Sequence, residues 1–155
     1  MRVSGITSDS ILDGPGLRVV LFVQGCPHGC KYCHNPSTWD KSGGYEMSIY
    51  SVEKDILSRL TPMHQGVTFS GGEPFDQSEE LLMLACRLKY WVKDIVVYSG
   101  YKMRELLGNG LLGAVDYLID GKFEIDGRDI GLKWRGSSNQ IIWKKVNGIW
   151  VKESD

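Results

Sequence analysis

Four short apolar runs, each followed within two residues by a glycine, constrain this chain more than any other feature. Leu17 to Val23 is apolar throughout except for Arg18, and it follows the turn signal Asp13-Gly14-Pro15-Gly16. Val67 to Phe69, Ile95 to Tyr98 and Tyr117 to Ile119 are rich in β-branched and aromatic residues. Runs of this length and composition predict strands, and the first predicts a strand buried on both faces.

Helical patterns separate these runs. Ser51 predicts the cap of a helix to Leu60, with Val52, Ile56, Leu57 and Leu60 on one face and Pro62 beyond its end. Asp76 and Glu79 have capping-box spacing before a helix through about Tyr90 that carries Leu81, Leu82, Leu84, Ala85 and Leu88. A short helix is expected around Arg104 to Leu107. Strands alternating with helices imply parallel pairing with right-handed crossovers. Met1 to Ile6 predicts a short first strand. Gln140 to Val146, Asn147-Gly148 and Ile149 to Lys152 predict a hairpin with a two-residue turn.

The expected fold is therefore α/β: a partial, open (β/α) barrel of parallel strands, or a twisted sheet, ending in a C-terminal β-hairpin. The 155 residues fall short of the roughly 250 of a complete eight-stranded barrel. Residues 1–155 read as a single domain, large enough to bury roughly 68–70% of its unfolded surface without disulfides.

In parallel α/β folds the carboxyl ends of the strands lie along one edge, and ligands bind there. The chemically unusual segments all follow predicted strands: the cysteine loop, Ser70-Gly71-Gly72-Glu73-Pro74, Ser99-Gly100-Tyr101 and Asp120-Gly121-Lys122. Loops far apart in sequence are thus expected to line one site.

The cysteine loop is Gly25-Cys26-Pro27-His28-Gly29-Cys30-Lys31-Tyr32-Cys33-His34-Asn35, with three cysteines in eight residues. In a reducing compartment such a cluster is more often a metal site than a disulfide framework. Structural zinc and ordinary electron-transfer clusters take four protein ligands. His28, His34 and Cys86 are the candidates for a fourth. His34 adjoins Cys33, which makes joint tetrahedral ligation awkward. His28 lies inside a tight loop that already carries two cysteines, and Cys86 is expected on the inward face of a helix. Three thiolates on a cubane cluster would leave one iron open for chemistry.

Composition excludes other classes. With 18 basic and 19 acidic side chains the formal charge is -1, which gives no electrostatic footprint for nucleic acid. No apolar run approaches the ~20 residues of a membrane span, and no signal-peptide pattern is present, so a cytoplasmic location is expected. Lys133, Arg135, Lys144 and Lys145 read as a mildly basic, solvated face.

The cysteine spacing, with Tyr32 before the last cysteine, resembles the radical S-adenosylmethionine superfamily. The resemblance implies that Cys26, Cys30 and Cys33 hold a [4Fe-4S] cluster. The methionine amino and carboxylate groups of S-adenosyl-L-methionine would chelate the fourth iron. Ser70-Gly71-Gly72-Glu73-Pro74 looks like the family's glycine-glycine-glutamate-proline motif, which implies that Gly71, Gly72 and Glu73 orient the cofactor. Two glycines let the backbone approach a ligand closely, and a carboxylate can accept from a cationic amine. Tyr32, Cys33 and His34 would run along the cofactor. Ser99, Asp120 and Lys122 are candidates to reach its ribose or carboxylate.

The Asp13-Gly14-Pro15-Gly16 turn, and Cys33-His34-Asn35-Pro36 with Thr38-Trp39 nearby, resemble the activases of glycyl-radical enzymes. Leu118 to Phe123 and Trp134 to Gln140 look like the C-terminal region of the branch that acts on anaerobic ribonucleoside-triphosphate reductase. The implied reaction is one-electron cleavage of S-adenosylmethionine to methionine and a 5′-deoxyadenosyl radical. That radical would take a hydrogen from a glycine α-carbon of the reductase's glycyl radical subunit. A reduced flavodoxin-like protein is the implied electron donor. No side chain is implied as a catalytic acid, base or nucleophile, because the reactive group comes from the cofactor. Activation of pyruvate formate-lyase or a related enzyme, radical chemistry on a small molecule, and a non-enzymatic metal or electron-transfer module stay open as alternatives.

Overall fold

The computed structural model describes residues 1–153; Ser154 and Asp155, the end of the expected single domain, lie outside the described residues. Strand β1 (Arg2–Ser10) runs antiparallel to β2 (Leu17–Val23). The segment 11–16 between them is far shorter than the dozen or more residues a parallel crossover takes, so the chain folds back. The two-residue strand β3 (Tyr45–Glu46) pairs with the outer side of β1. Then β4 (His64–Gly71), β5 (Asp94–Tyr98) and β6 (Tyr117–Asp120) continue from β2, each parallel to its neighbour. The hairpin β7 (Ile141–Val146) and β8 (Ile149–Lys152) adds antiparallel to β6.

The result is one mixed sheet of eight strands in the order β3-β1-β2-β4-β5-β6-β7-β8. It is parallel in the middle and antiparallel at both sides, with β3 and β8 as its edges. Helices α1 (Ile49–Arg59) and α2 (Ser78–Leu88) and the short α3 (Met103–Leu106) and α4 (Gly110–Ala114) fill the connections between the parallel strands.

Two helix starts differ from the sequence expectation. The cap of α1 is Ser48, whose hydroxyl accepts from the Ser51 N–H at 3.0 Å. Ser51 therefore lies inside the first turn. The capping box of Asp76 and Glu79 does not form, because Pro74–Gln77 takes a 3₁₀ turn capped by Glu73 before α2 begins. Asp76 instead accepts from the Tyr101 hydroxyl at 3.1 Å. The buried side of α2 is Leu81, Leu84, Ala85 and Leu88. Cys86 is exposed, not inward-facing, since one helical step from Ala85 carries it out of that stripe.

The main core lies between the helices and one face of the sheet. Val19, Leu21, Val23, Val67, Phe69, Ile95, Val97 and Leu118 meet Val52 and Ile56 of α1, the inner side of α2, and Leu111 and Leu112 of α4. Each fully buried Leu or Ile there contributes roughly 1.5–3 kcal/mol. Alternation along the strands sends Val96, Tyr117 and Ile119 to the other face, where they form a smaller cluster with Ile142. Arg18, the one break in its apolar run, is fully buried.

The hairpin turn matches its sequence signal. Asn147 has φ 51° and Gly148 φ 79°, the paired positive values that a two-residue hairpin turn demands. A Cβ on Gly148 would have no neighbour within 4 Å, so its cost is conformational only. Gly148→Ala is expected to lower stability by about 1 kcal/mol, read as a shift of the urea midpoint with an unchanged slope. An unchanged midpoint would show that the turn has another conformation available.

Candidate cofactor site

The loops that follow β2, β4, β5 and β6 all end at the same edge of the sheet and surround one cavity of about 650 Å³. Cys26, Cys30 and Cys33 line it together with Ser70, Gly71 and Gly72, Ser99 and Gly100, and Gly121 and Lys122. Parallel pairing is the cause. It points four strand ends the same way, so segments separated by up to about 90 residues in the chain become neighbours.

The cysteine loop turns sharply twice. Gly29 has φ 60° and Tyr32 φ 59°. Glycine takes that region freely, whereas Tyr32 pays about 1 kcal/mol for it. The stem of the loop is fixed by main-chain bonds: Gly25 N–H to Thr38 O at 2.6 Å, Cys26 N–H to Trp39 O at 3.1 Å, and Glu73 N–H to Gly25 O at 2.7 Å. The last of these joins the cysteine loop to the Gly71-Gly72 segment. Gly72 has no room for a side chain, since a Cβ would overlap the backbone of Gly25.

All three thiols are half-buried. The Asn35 N–H donates to Cys33 Sγ at 3.3 Å. Burial pushes the Cys26 and Cys30 thiols above the ordinary thiol range, so ligating a metal must displace protons from them. Among the described residues no three His, Cys, Asp or Glu side chains form a group that could hold a single metal ion.

The remaining residues singled out from sequence divide by position. His34 lines the cavity, with its ring 4.9 Å from that of Phe123. Tyr32 does not reach this wall; it is 65% exposed and borders a shallower recess with His34, Phe123, Ile125 and Arg128. Ser99 lines the cavity but is mostly buried, and its hydroxyl donates to Glu73. Lys122 is on the wall.

Two carboxylates singled out from sequence, Glu73 and Asp120, are buried and hydrogen-bonded within the protein. Glu73 is completely buried and does not line the cavity. It accepts from Phe75 N–H at 2.9 Å, Gly100 N–H at 2.8 Å, Ser99 Oγ at 2.9 and 3.0 Å, and His28 Nε2 at 2.6 Å. Asp120, also buried, accepts from Met103 N–H at 2.7 Å and Ile141 N–H at 3.3 Å. It thereby caps α3 and anchors the start of β7. A carboxylate near several free backbone N–H groups is drawn to them.

Sequence reading missed part of the wall. Segment 121–140 folds over the cavity, held by Asn139 Nδ2 to Lys122 O at 2.7 Å, Gln140 Nε2 to Gly121 O at 3.0 Å and Arg135 Nη1 to Gln140 O at 2.9 Å. Phe123, Arg128, Trp134 and Arg135 thereby join the lining, as do Ile11 and Leu12 of the turn before β2. Lys133 and Arg135 belong to this wall and not to a solvated basic face. Lys145 lies elsewhere, with its Nζ donating to Leu112 O at 2.7 Å. The one sequence signal for this lining was the pairing of Leu118 to Phe123 with Trp134 to Gln140; nothing in the composition marked Ile11 or Leu12.

Residues 12–143 match the model of a 4Fe-4S single cluster domain. The chain is 39% identical to the anaerobic ribonucleoside-triphosphate reductase-activating protein of Enterobacteria phage T4 over 157 aligned residues, 97% of this chain and 98% of the relative. The chain belongs to this family. The relative of the same name from Vibrio cholerae serotype O1 is 40% identical over 140 residues, 85% of this chain and 90% of its own. That of Escherichia coli K12 is 38% identical over 141 residues, 85% and 91%. The matched region of the cluster-domain family contains the cysteine loop, all four strand-end loops and the covering segment 121–140. Among the described residues, no helix is long and apolar enough to cross a membrane.

Proposed function

We propose that this chain is an activating enzyme for anaerobic ribonucleoside-triphosphate reductase. In this reading it carries one [4Fe-4S] cluster on Cys26, Cys30 and Cys33, with S-adenosyl-L-methionine on the iron that no cysteine holds. The observation that carries the proposal is the joint presence of three thiols and the Gly71-Gly72 backbone on one cavity, in a family named for that reductase. Three thiols that line one cavity suit the separate irons of a cluster. A single ion would draw them to within about 4 Å of each other, given metal–sulfur distances of about 2.3 Å. When bound, the cluster and S-adenosylmethionine supply one-electron cleavage of a carbon–sulfur bond and, through it, hydrogen removal from a glycine of the reductase.

The chain's own residues bind, orient and shield. Gly71 and Gly72 let main-chain groups approach the methionine end closely. Cys33 and His34 run along the cofactor, Ser99 and Lys122 reach toward its carboxylate or ribose, and Tyr32 borders it from outside. Glu73 and Asp120 act from behind the wall, by holding the loops that form it. Ile11, Leu12 and Ile130 line the cavity yet are 72%, 75% and 92% exposed. An apolar border of this kind suits a protein segment entering from solvent. Residues 1–155 act as one domain, with the sheet as a partial, open barrel around the cavity. The protein would work in the cytoplasm with a reduced flavodoxin-like donor.

Protein purified without oxygen is expected to be brown and to hold about four irons per chain, with a reduced spectrum that changes on adding S-adenosylmethionine. Mixed with donor, cofactor and the reductase, it should yield a glycyl radical on the reductase by electron paramagnetic resonance. Colourless protein with one zinc, or a radical on pyruvate formate-lyase and none on the reductase, would overturn the assignment.

A further inference from the structure

The cysteine loop touches the rest of the site through a side chain that the proposed chemistry does not use. His28 lies midway between Cys26 and Cys30, and its side chain is only 5% exposed. Its Nε2 donates to Glu73 Oε1 at 2.6 Å. Its ring stands edge-on to Tyr101, with centroids 4.6 Å apart at 75°. The space it fills exists because residue 100 is glycine: a Cβ there would overlap the His28 ring. Gly100 also donates its N–H to the same Glu73 oxygen at 2.8 Å. The buried carboxylate thus gathers donors from three chain segments: the cysteine loop, the turn after Gly72 and the exit of β5.

We infer that His28 is a positioning residue, and that the His28–Glu73 hydrogen bond clamps the Cys26–Cys30 stretch against the Gly71-Gly72 and Ser99-Gly100 loops. The inference deepens the proposed function and rests on its reading of the cysteines as ligands. In it the glutamate of the Gly-Gly-Glu-Pro segment fixes the spacing between thiols and glycine wall from inside the protein. A loop with two left-handed turns (Gly29 and Tyr32) has freedom to lose. One short bond to a buried carboxylate, which is itself held by the Phe75 and Gly100 N–H groups and the Ser99 hydroxyl, removes much of that freedom.

The test compares His28→Leu, which keeps bulk and loses the donor, with His28→Gln, which keeps a terminal N–H donor. The first measurement uses metal-free protein, with thiol alkylation followed by mass spectrometry. Exposed Cys86 on α2 serves as an internal reference. In His28→Leu, alkylation of Cys26 and Cys30 relative to Cys86 should rise about tenfold, the scale of one hydrogen bond to a charged group. In His28→Gln it should stay within about twofold of the unaltered protein. The second measurement uses reconstituted protein. The change that S-adenosylmethionine makes in the reduced cluster's paramagnetic spectrum should need about tenfold more cofactor in His28→Leu and be restored in His28→Gln.

Equal behaviour of His28→Leu and the unaltered protein in both measurements would overturn the clamp. Equal impairment of both variants would overturn the role of the hydrogen bond and leave only ring packing. Should His28→Leu fail to fold, judged by its circular dichroism melt, Tyr101→Leu with His28 intact separates packing from hydrogen bonding. The clamp predicts Cys26 and Cys30 alkylation within about twofold of the unaltered protein there, and a rise of about tenfold would overturn it. If the unaltered protein takes up no cluster, the proposed function fails, while the alkylation comparison still decides the clamp.

Discussion

Cys26→Ala, Cys30→Ala and Cys33→Ala are each expected to abolish the open-iron cluster and all radical transfer, while Cys86→Ala leaves both at the level of the unaltered protein. The three loop thiols share the cavity wall, and Cys86 is exposed on α2 and outside it. Among the described residues no neighbour is placed to substitute for a lost thiol. His28 is engaged with Glu73, and the His34 ring packs on Phe123. A cluster left with two protein ligands is not retained, because an unligated iron site beyond the one reserved for the cofactor is open to water and loss. Iron and sulfide per chain should fall from about four to near zero in each loop variant. The apoprotein melting temperature should change by only a few degrees, since half-buried thiols contribute little core area. Full iron content in any one loop variant would remove that cysteine from the ligand set. Loss of iron in Cys86→Ala would add a fourth ligand and return the site to an ordinary electron-transfer or structural type.

That experiment tests a ligand set proposed from a family resemblance carried by the cysteine spacing; much around those cysteines was not legible in the sequence. The parallel strands were legible because β-branched runs such as Ile95 to Tyr98 have no alternative face to expose. The shared edge followed from parallel pairing alone. Helix boundaries were less legible: Ser48 and Ser51 are equally good caps by type, and only the extended backbone of Ser48 makes it the cap. Strand β3, at two residues, and α4, with two glycines in five, carry too little pattern to announce themselves.

In the site, Gly71 and Gly72 were legible because a close approach has no other residue to use. The destinations of Glu73 and Asp120 were not, because their partners are backbone N–H groups of Phe75, Gly100, Met103 and Ile141. Every residue other than proline carries such a group, so sequence does not reveal which ones a carboxylate finds. His28 was visible only as a possible ligand, and its actual partner is 45 residues away.

Arg18 is the residue whose loss should cost the fold most. It interrupts an apolar strand, and the structure gives the reason: the guanidinium is completely buried, donates four hydrogen bonds and is ion-paired with the Asp94 carboxylate. Nε donates to Thr68 Oγ1 at 2.7 Å. Nη1 meets Pro15 O at 2.8 Å and Asp94 Oδ1 at 2.6 Å, and Nη2 meets Val67 O at 2.9 Å and Asp94 O at 3.3 Å. The Asp13-Gly14-Pro15 turn closes over it. Gly14, at φ 134°, has no room for a Cβ between Val96 and the Arg18 side chain, and Thr68 Oγ1 donates to Asp13 O at 2.8 Å. Since Ile11, Leu12 and Asp13 line the cavity, the same guanidinium holds up the sheet and one side of the site.

Arg18→Met keeps the length and removes every donor, leaving the Asp94 carboxylate, 11% exposed, without its cation. Breaking a buried pair this way costs about 3–5 kcal/mol, which should appear as a large drop in the urea midpoint. Arg18→Met with Asp94→Asn should recover part of that loss, because the stranded charge is gone, although the carbonyls of Pro15 and Val67 still lack donors. A single variant within about 1 kcal/mol of the unaltered protein, the value of an exposed pair, would show that water or a neighbour replaces the guanidinium. A double variant no better than the single one would place the cost in the lost carbonyl bonds. In either variant that folds, cluster loading should survive better than partner activation, because the cysteine loop is anchored to Thr38, Trp39 and Glu73 and not to the turn that Arg18 supports.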